Sequence, residues 1–184
     1  LITQPTLEEL RAAEPMVLAA PKDGGTVEML CFRPAFNKRD FVESLTLTKA
    51  HGVPGERWEK APWLRLADGR PHPGIQVSIL PRRVLDLVWR DRANTPHPGD
   101  TFICDLDMTE ANLPEGQLLQ IGEAVLRVSD VFNDGCVKWK ARYGKPAYDW
   151  VRAPENRPLR LRGVLCSIES DGIIRNGDRL TVLR

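Results

Sequence analysis

Gln117-Leu118-Leu119-Gln120-Ile121-Gly122-Glu123-Ala124-Val125-Leu126-Arg127-Val128 is the stretch on which the fold turns. Two short apolar runs flank Gly122-Glu123, so it reads as two strands joined tightly, Gln117–Ile121 and Ala124–Phe132. The pattern recurs outward. Upstream, strands are expected over Thr26–Phe32, Phe41–Thr48, Ile75–Leu80, where positions alternate, and Thr101–Leu106. Downstream they are expected over Leu159–Glu169 and Ile173–Leu183, with Asp171-Gly172 as a hairpin signal between them. Helices are few. Thr6 with Glu9 forms a capping box for a helix that Pro15 and Pro21 interrupt. Pro81 opens an amphipathic helix through Val84, Leu85, Leu87 and Val88. His51–Gly74, dense in Gly and Pro, reads as a long loop, and long ordered loops often carry function.

Many short strands with only short helices imply a mainly β protein, a barrel or sandwich decorated by helices; closing the sheet would remove its edges. With 184 residues, no repeat and no shift in composition, a single domain over 1–184 is expected, with 1–25 as an N-terminal helical extension and 26–184 as the barrel. The 26 basic and 25 acidic side chains nearly cancel, so no bulk charge draws the chain to nucleic acid or an anionic membrane. Apolar runs such as Met16–Ala20 fall far short of the ~20 residues that span a bilayer, and no secretory apolar region is recognisable. A cytoplasmic location is the expectation. The sequence begins at Leu1 rather than at Met, which leaves the native N-terminus open.

Four cysteines, Cys31, Cys104, Cys136 and Cys166, are spread along the chain without Cys-x-x-Cys spacing, which argues against structural zinc. They read as thiols. Cys31, Cys104 and Cys166 sit in apolar strand-like runs and are expected to be buried. Cys136 differs, standing after Gly135 where an apolar strand gives way to Val137-Lys138-Trp139-Lys140-Ala141-Arg142-Tyr143. Nearby cations and a helix N-terminus both favour the thiolate, which is a nucleophile and a soft metal ligand. The competing reading is a buried, inert thiol.

No Gly-x-x-x-x-Gly-Lys-Ser/Thr, Gly-x-Gly-x-x-Gly, Gly-x-Ser-x-Gly or His-Glu-x-x-His pattern occurs, which disfavours nucleotide, serine-hydrolase and zinc-protease chemistry. Glu56-Arg57-Trp58 and Asn37-Lys38-Arg39 are candidates for presenting cations to an anionic ligand. His51, His72 and His97 lie in Pro/Gly-rich loops and are expected to face solvent; pairing one with Cys136 would need tertiary proximity.

Five pieces of sequence, taken in order, resemble the MOSC domain, named for the C-terminal domain of molybdenum cofactor sulfurase. Gly52-Val53-Pro54-Gly55-Glu56-Arg57-Trp58 resembles the family's early Gly-x-x-Gly-Asp-Arg element, with Glu56 in place of Asp. Gln76–Leu80 resembles its central strand. Asn112-Leu113, Gly116 and Ile121-Gly122-Glu123-Ala124-Val125-Leu126-Arg127-Val128 resemble the run leading to its signature cysteine, which falls on Cys136. Arg162-Gly163-Val164 and Gly172–Asp178 resemble its closing strands. One departure is Asn133-Asp134-Gly135, where many members have Pro or Arg before the cysteine; a carboxylate there would raise the thiol pKa.

The resemblance implies a MOSC-type β-barrel that binds molybdenum cofactor, a pterin carrying the metal. It makes Cys136 either a sulfur carrier or a thiolate ligand to molybdenum, in sulfur transfer or in reduction of N-oxygenated compounds. Arg57, Asn112 and Lys138 are the implied cofactor-binding residues. A sulfur carrier would need a partner such as a cysteine desulfurase, with pyridoxal phosphate only on that enzyme, and an oxidoreductase would need an external reductase. The alternative is a non-catalytic barrel that binds an anionic small molecule or a partner protein.

Overall fold

A computed structural model describes residues 3–184; the first two positions of the expected N-terminal extension lie outside it. In chain order the helices are α1 (Leu7–Leu18), α2 (Arg57–Lys60), α3 (Arg82–Val88) and α4 (Val137–Arg152). The strands are β1 (Gly25–Glu28), β2 (Cys31–Phe32), β3 (Asp40–Phe41), β4 (Ser44–Leu47), β5 (Val77–Pro81), β6 (Phe102–Cys104), β7 (Leu118–Ile121), β8 (Ala124–Val128), β9 (Val164–Ser170), β10 (Gly172–Arg175) and β11 (Arg179–Leu183). Seven of them close a barrel in the order β1-β11-β7-β8-β9-β5-β6, with β6 returning to β1, so the expected mainly β barrel is what the chain forms.

The tight β7–β8 connection predicted at Gly122-Glu123 is present, with Ile121 opposite Ala124 and Leu118 opposite Arg127. Pairing around the barrel is antiparallel except at β5–β6. Parallel neighbours need a crossover, and α3 with the segment after it supplies one. Pro81, the last residue of β5, caps α3, as the sequence implied.

Val27, Ile79, Phe102, Leu119, Ile121, Leu126, Cys166 and Leu180 fill the barrel interior. A second core lies outside it, where Leu80 and Ile103 meet Leu10, Val84, Leu85, Trp139, Tyr143 and Trp150 from the helices. This explains one departure from expectation: β5 does not alternate, because every residue from Val77 to Pro81 is buried, one face toward the barrel and the other toward the helices.

Three other readings are corrected. The capping box holds, with Thr6 Oγ1 accepting from Glu9 N, yet α1 continues through Pro15 to Leu18. The hydrogen bond lost at Pro15 would have gone to Arg11, an exposed residue, which limits the cost. The strand expected over Thr26–Phe32 breaks at Met29, which adopts φ 54°. Finally, Asp171-Gly172 does not form a β9–β10 hairpin: β10 pairs with β4 in a separate two-stranded sheet. Gly172 serves close approach instead, since an added Cβ would lie 2.3 Å from the Glu123 carbonyl carbon. No helix among the described residues is long and apolar enough to cross a membrane.

Candidate functional site

A cavity of about 730 Å³ opens where four segments meet: the loop after β2, the region of α2, the turn before β6 and the start of α4. Cys136 lines it and is the one exposed cysteine; Cys31, Cys104 and Cys166 are buried. Burial pushes the Cys31 thiol up to about 11 and those of Cys104 and Cys166 to about 12, which makes them inert.

Helix α4 divides its work by face. Trp139 and Tyr143, one turn apart, are buried against the barrel with their rings in an edge contact at 4.8 Å. Lys138 and Arg142, also one turn apart, line the cavity. Cys136 is the N-cap of this helix, and Gly144 (φ 92°) kinks it.

Gly135 lets the chain approach the far end of α4, since a Cβ there would come 2.8 Å from Val151 Cγ2. Asp134 before it accepts from Gly135 N and pairs with Arg152 at 3.4 Å, so a cation offsets the carboxylate preceding the cysteine.

Electrostatics sets this cavity apart. Eight cationic side chains line it, Arg33, Lys38, Arg39, Arg57, Lys138, Arg142, Arg152 and Arg162, against three carboxylates, Glu56, Asp100 and Asp134. Each carboxylate is already committed: Glu56 to Arg33 at 2.8 Å, Asp100 to Arg162 at 2.8 Å and Asp134 to Arg152. Lys38, Arg39, Arg57, Lys138 and Arg142 form no ion pair among the described residues. Burial, then the charges of Arg142, Arg57 and Arg39, hold Lys138 below the usual lysine range. Burial and then the charge of Arg39 lower Arg142. Cations crowded this way favour an anion among them.

The sequence candidates are partly brought together. Arg57, Lys138 and Cys136 share the cavity, as do Asn37, Lys38 and Arg39. Lys138 Nζ sits 3.5 Å from the centre of the Phe36 ring and donates to Asn37 Oδ1, while Arg57 approaches the same ring. Asn112 is elsewhere: it is buried, its amide nitrogen donates to the Lys22 and Asp107 carbonyls, and its oxygen accepts from Arg184. That side chain ties loops together and does not line the cavity. Glu56, taken from sequence as part of a ligand-facing element, is 2% exposed and grips Arg33 through both carboxylate oxygens.

Of the three histidines, His51 is exposed as expected, His72 is half-buried and His97 departs from expectation. His97 does not face solvent: it is buried between Phe41 and Trp89, and burial lowers its pKa to about 4. His51 contacts Glu59, and His72 Nδ1 accepts from Gly74 N. None of the three lines the cavity. Sequence reading missed Arg33, Asp100, Arg152 and Arg162 as site residues; Arg162 could be noticed only as part of an Arg-Gly-Val motif.

Among the described residues no group of three or more His, Cys, Asp or Glu is placed to hold a metal ion. The donor set here is one thiol surrounded by cations. It fits a metal that arrives within an anionic cofactor better than a bare ion.

No curated protein matches the sequence. Among solved structures, the chain is similar to the YuaD protein from Bacillus subtilis at 19% identity and a TM-score of 0.61, covering 86% of this chain and 94% of that one. It is likewise similar to YiiM from Escherichia coli at 19% identity and a TM-score of 0.56, covering 88% of this chain and 70% of that one. These likenesses concern the fold. A family model described as the MOSC domain matches residues 74–181, more than half of the sequence, and the chain therefore belongs to the MOSC domain family.

Proposed function

We propose that this MOSC protein binds molybdenum cofactor in the cavity beside α4, with Cys136 facing the metal or its sulfur. The observation that carries the reading is the coincidence of the single exposed cysteine with the cation-rich cavity. At about 730 Å³ the space falls in the range of roughly 300–1,000 Å³ usual for small-molecule sites. When bound, the cofactor would supply a thiophilic, redox-active metal; the protein supplies the rest. The basic lining offsets the cofactor's phosphate, Arg57 and Lys138 being cations that share the cavity with Cys136. Phe36, held against those two cations, adds an aromatic surface.

Cys136 serves in one of two ways: as a thiolate ligand to molybdenum during reduction of N-oxygenated compounds, or as a carrier that holds sulfur for transfer to the cofactor. Either role needs a partner. A carrier draws its sulfur from a donor such as a cysteine desulfurase, and an oxidoreductase draws electrons from an external reductase.

The test compares wild type and Cys136→Ala purified from a host that makes the cofactor, by elemental mass spectrometry and pterin fluorescence. Stoichiometric molybdenum that is lost in the variant identifies Cys136 as a ligand. Molybdenum retained by the variant, with loss of transferable sulfur, identifies a carrier. Absence of both metal and pterin from wild type overturns the bound-cofactor reading and returns the barrel to a plain anion- or protein-binding module.

A further inference from the structure

Seven large apolar side chains are exposed among the described residues, and the three most exposed, Val137 at 76%, Phe36 at 62% and Trp63 at 61%, ring one opening. Val137, at the start of α4, and Trp63, after α2, belong to the wall of the Cys136 cavity. Phe36 stands just outside that wall, between Ala35 and Asn37, which line it. Single exposed apolar residues are common, but a cluster rimmed by charge marks a contact face.

The charge here has one sign. Lys38, Arg57 and Lys138 stand among these side chains without an ion pair, whereas the nearby carboxylates are engaged, Asp134 by Arg152 and Glu59 by His51. The chain as a whole carries a formal charge of only +1, so the excess is local. Contact with the Phe36 ring holds Lys138 and Arg57 in place before any partner arrives, which reduces the entropy lost on association.

A ligand inside the cavity leaves Phe36 uncovered, so what covers all three side chains comes from outside. Lipid is a poor fit, because the three come from separate segments and do not share the apolar face of one amphipathic helix. A second copy of the chain would set the same cations against one another.

We propose that Phe36, Trp63 and Val137, with Lys38, Arg57 and Lys138 around them, form the docking face for a small acidic electron-transfer protein whose carboxylates surround an apolar centre. Three apolar side chains and three cations suit the small, transient interfaces of redox encounters, below about 1,200 Å². Once the cavity is filled, a protein seated on the rim does not touch the thiol; electrons cross such a gap, whereas sulfur passes only between touching atoms. Two encounters, each oxidising one reduced carrier by one electron, together with two protons from water, convert R–NH–OH to R–NH2 and H2O. The partner's role as electron donor rests on the cofactor reading; the docking face does not.

The test is calorimetric titration of cofactor-free protein with two probes, a flavodoxin and a plant-type ferredoxin. Saturable micromolar binding of at least one is expected at about 0.05 M salt, weakened about tenfold or more at about 0.5 M as the charges are screened. Trp63→Ser is expected to weaken binding about tenfold, and Lys38→Glu to do the same at low salt while flattening the salt dependence. Met16→Ser, at an exposed apolar residue of α1 outside the cavity, should leave affinity unchanged. Both rim variants alter exposed side chains, and thermal melting checks their folding. Binding of neither probe, binding indifferent to salt, or unchanged affinity in both rim variants overturns the face. Where neither probe binds, binding to phosphatidylcholine–phosphatidylglycerol vesicles that Trp63→Ser abolishes assigns the patch to a membrane instead.

Molybdenum analysis separates the two readings. Salt-sensitive docking by a chain that never acquires molybdenum leaves the face standing and removes the cofactor. A molybdenum-loaded chain that docks neither probe keeps the cofactor and loses the face.

Discussion

Inside the barrel, Cys104 and Cys166 lie among aliphatic side chains, and burial pushes both thiols up to about 12. On the barrel's flank, Cys136 is exposed beside Lys138 in a cavity where cations outnumber carboxylates. The two regions handle polar atoms in opposite ways. Four buried side-chain atoms lack a hydrogen-bond partner among the described residues, Arg39 Nε, His97 Nε2, Asp100 Oδ2 and Arg162 Nε; the barrel interior holds none of them, whereas three belong to residues lining the cavity. An interior that serves stability satisfies its polar groups, and departures from that rule gather at a site.

The strongest way to break this comparison is to damage the cavity wall where it acts as structure. Glu56 is buried and holds Arg33, whose guanidinium also donates to Thr101 Oγ1 near the β5–β6 junction. Glu56→Ala should destabilise the fold by about 3–5 kcal/mol in urea unfolding, because it leaves a cation unpaired. A loss below about 1 kcal/mol would mean that Arg33 readily finds water.

His97 gives a pH signature. Its folded pKa lies near 4, below the unfolded value of about 6.5. As pH falls through about 6.5 the unfolded chain takes up a proton that the folded chain refuses until pH is near 4. Stability is therefore fully present above about 6.5 and declines by up to about 3 kcal/mol across that window. His97→Gln should flatten the upper part of this decline, between about pH 6.5 and 5, where carboxylates have little influence. An equal slope in wild type and variant would contradict the burial of the ring.

The cysteines sharpen the contrast at lower cost. Cys166→Ser places a hydroxyl in an apolar interior and should cost about 1–3 kcal/mol. Cys136→Ser, at an exposed position, should change stability by no more than about 0.5 kcal/mol. Equal losses would place the two thiols in equivalent surroundings.

Much of the fold is legible in the sequence because it is written locally. The β7–β8 turn, the Thr6 capping box and Pro81 at the start of α3 each depend on residues within one or two turns of chain. Partnerships between distant segments are not legible. The Asp171-Gly172 signal is sound as local turn chemistry, yet β10 finds its partner in β4. The burial of β5 on both faces depends on helices far along the chain.

The site divides in the same way. Cys136, Lys138 and the Asn37–Arg39 loop stand out by composition and boundary position. Arg162 and Asp100 become cavity residues only through an ion pair spanning sixty-two positions. Asn112 shows the limit of a motif: its side chain bonds to Lys22, Asp107 and Arg184, away from the cavity.

The most direct test of the central claim, that Cys136 is the reactive thiol facing a cofactor cavity, is alkylation of the native protein with iodoacetamide, read by mass spectrometry, with and without bound molybdenum cofactor. A single modification at Cys136 is expected in cofactor-free protein, with its loss when the cofactor is bound, and modification of Cys31, Cys104 and Cys166 only after unfolding. Equal labelling of Cys136 in both forms, or labelling of the buried thiols in the native state, would contradict it.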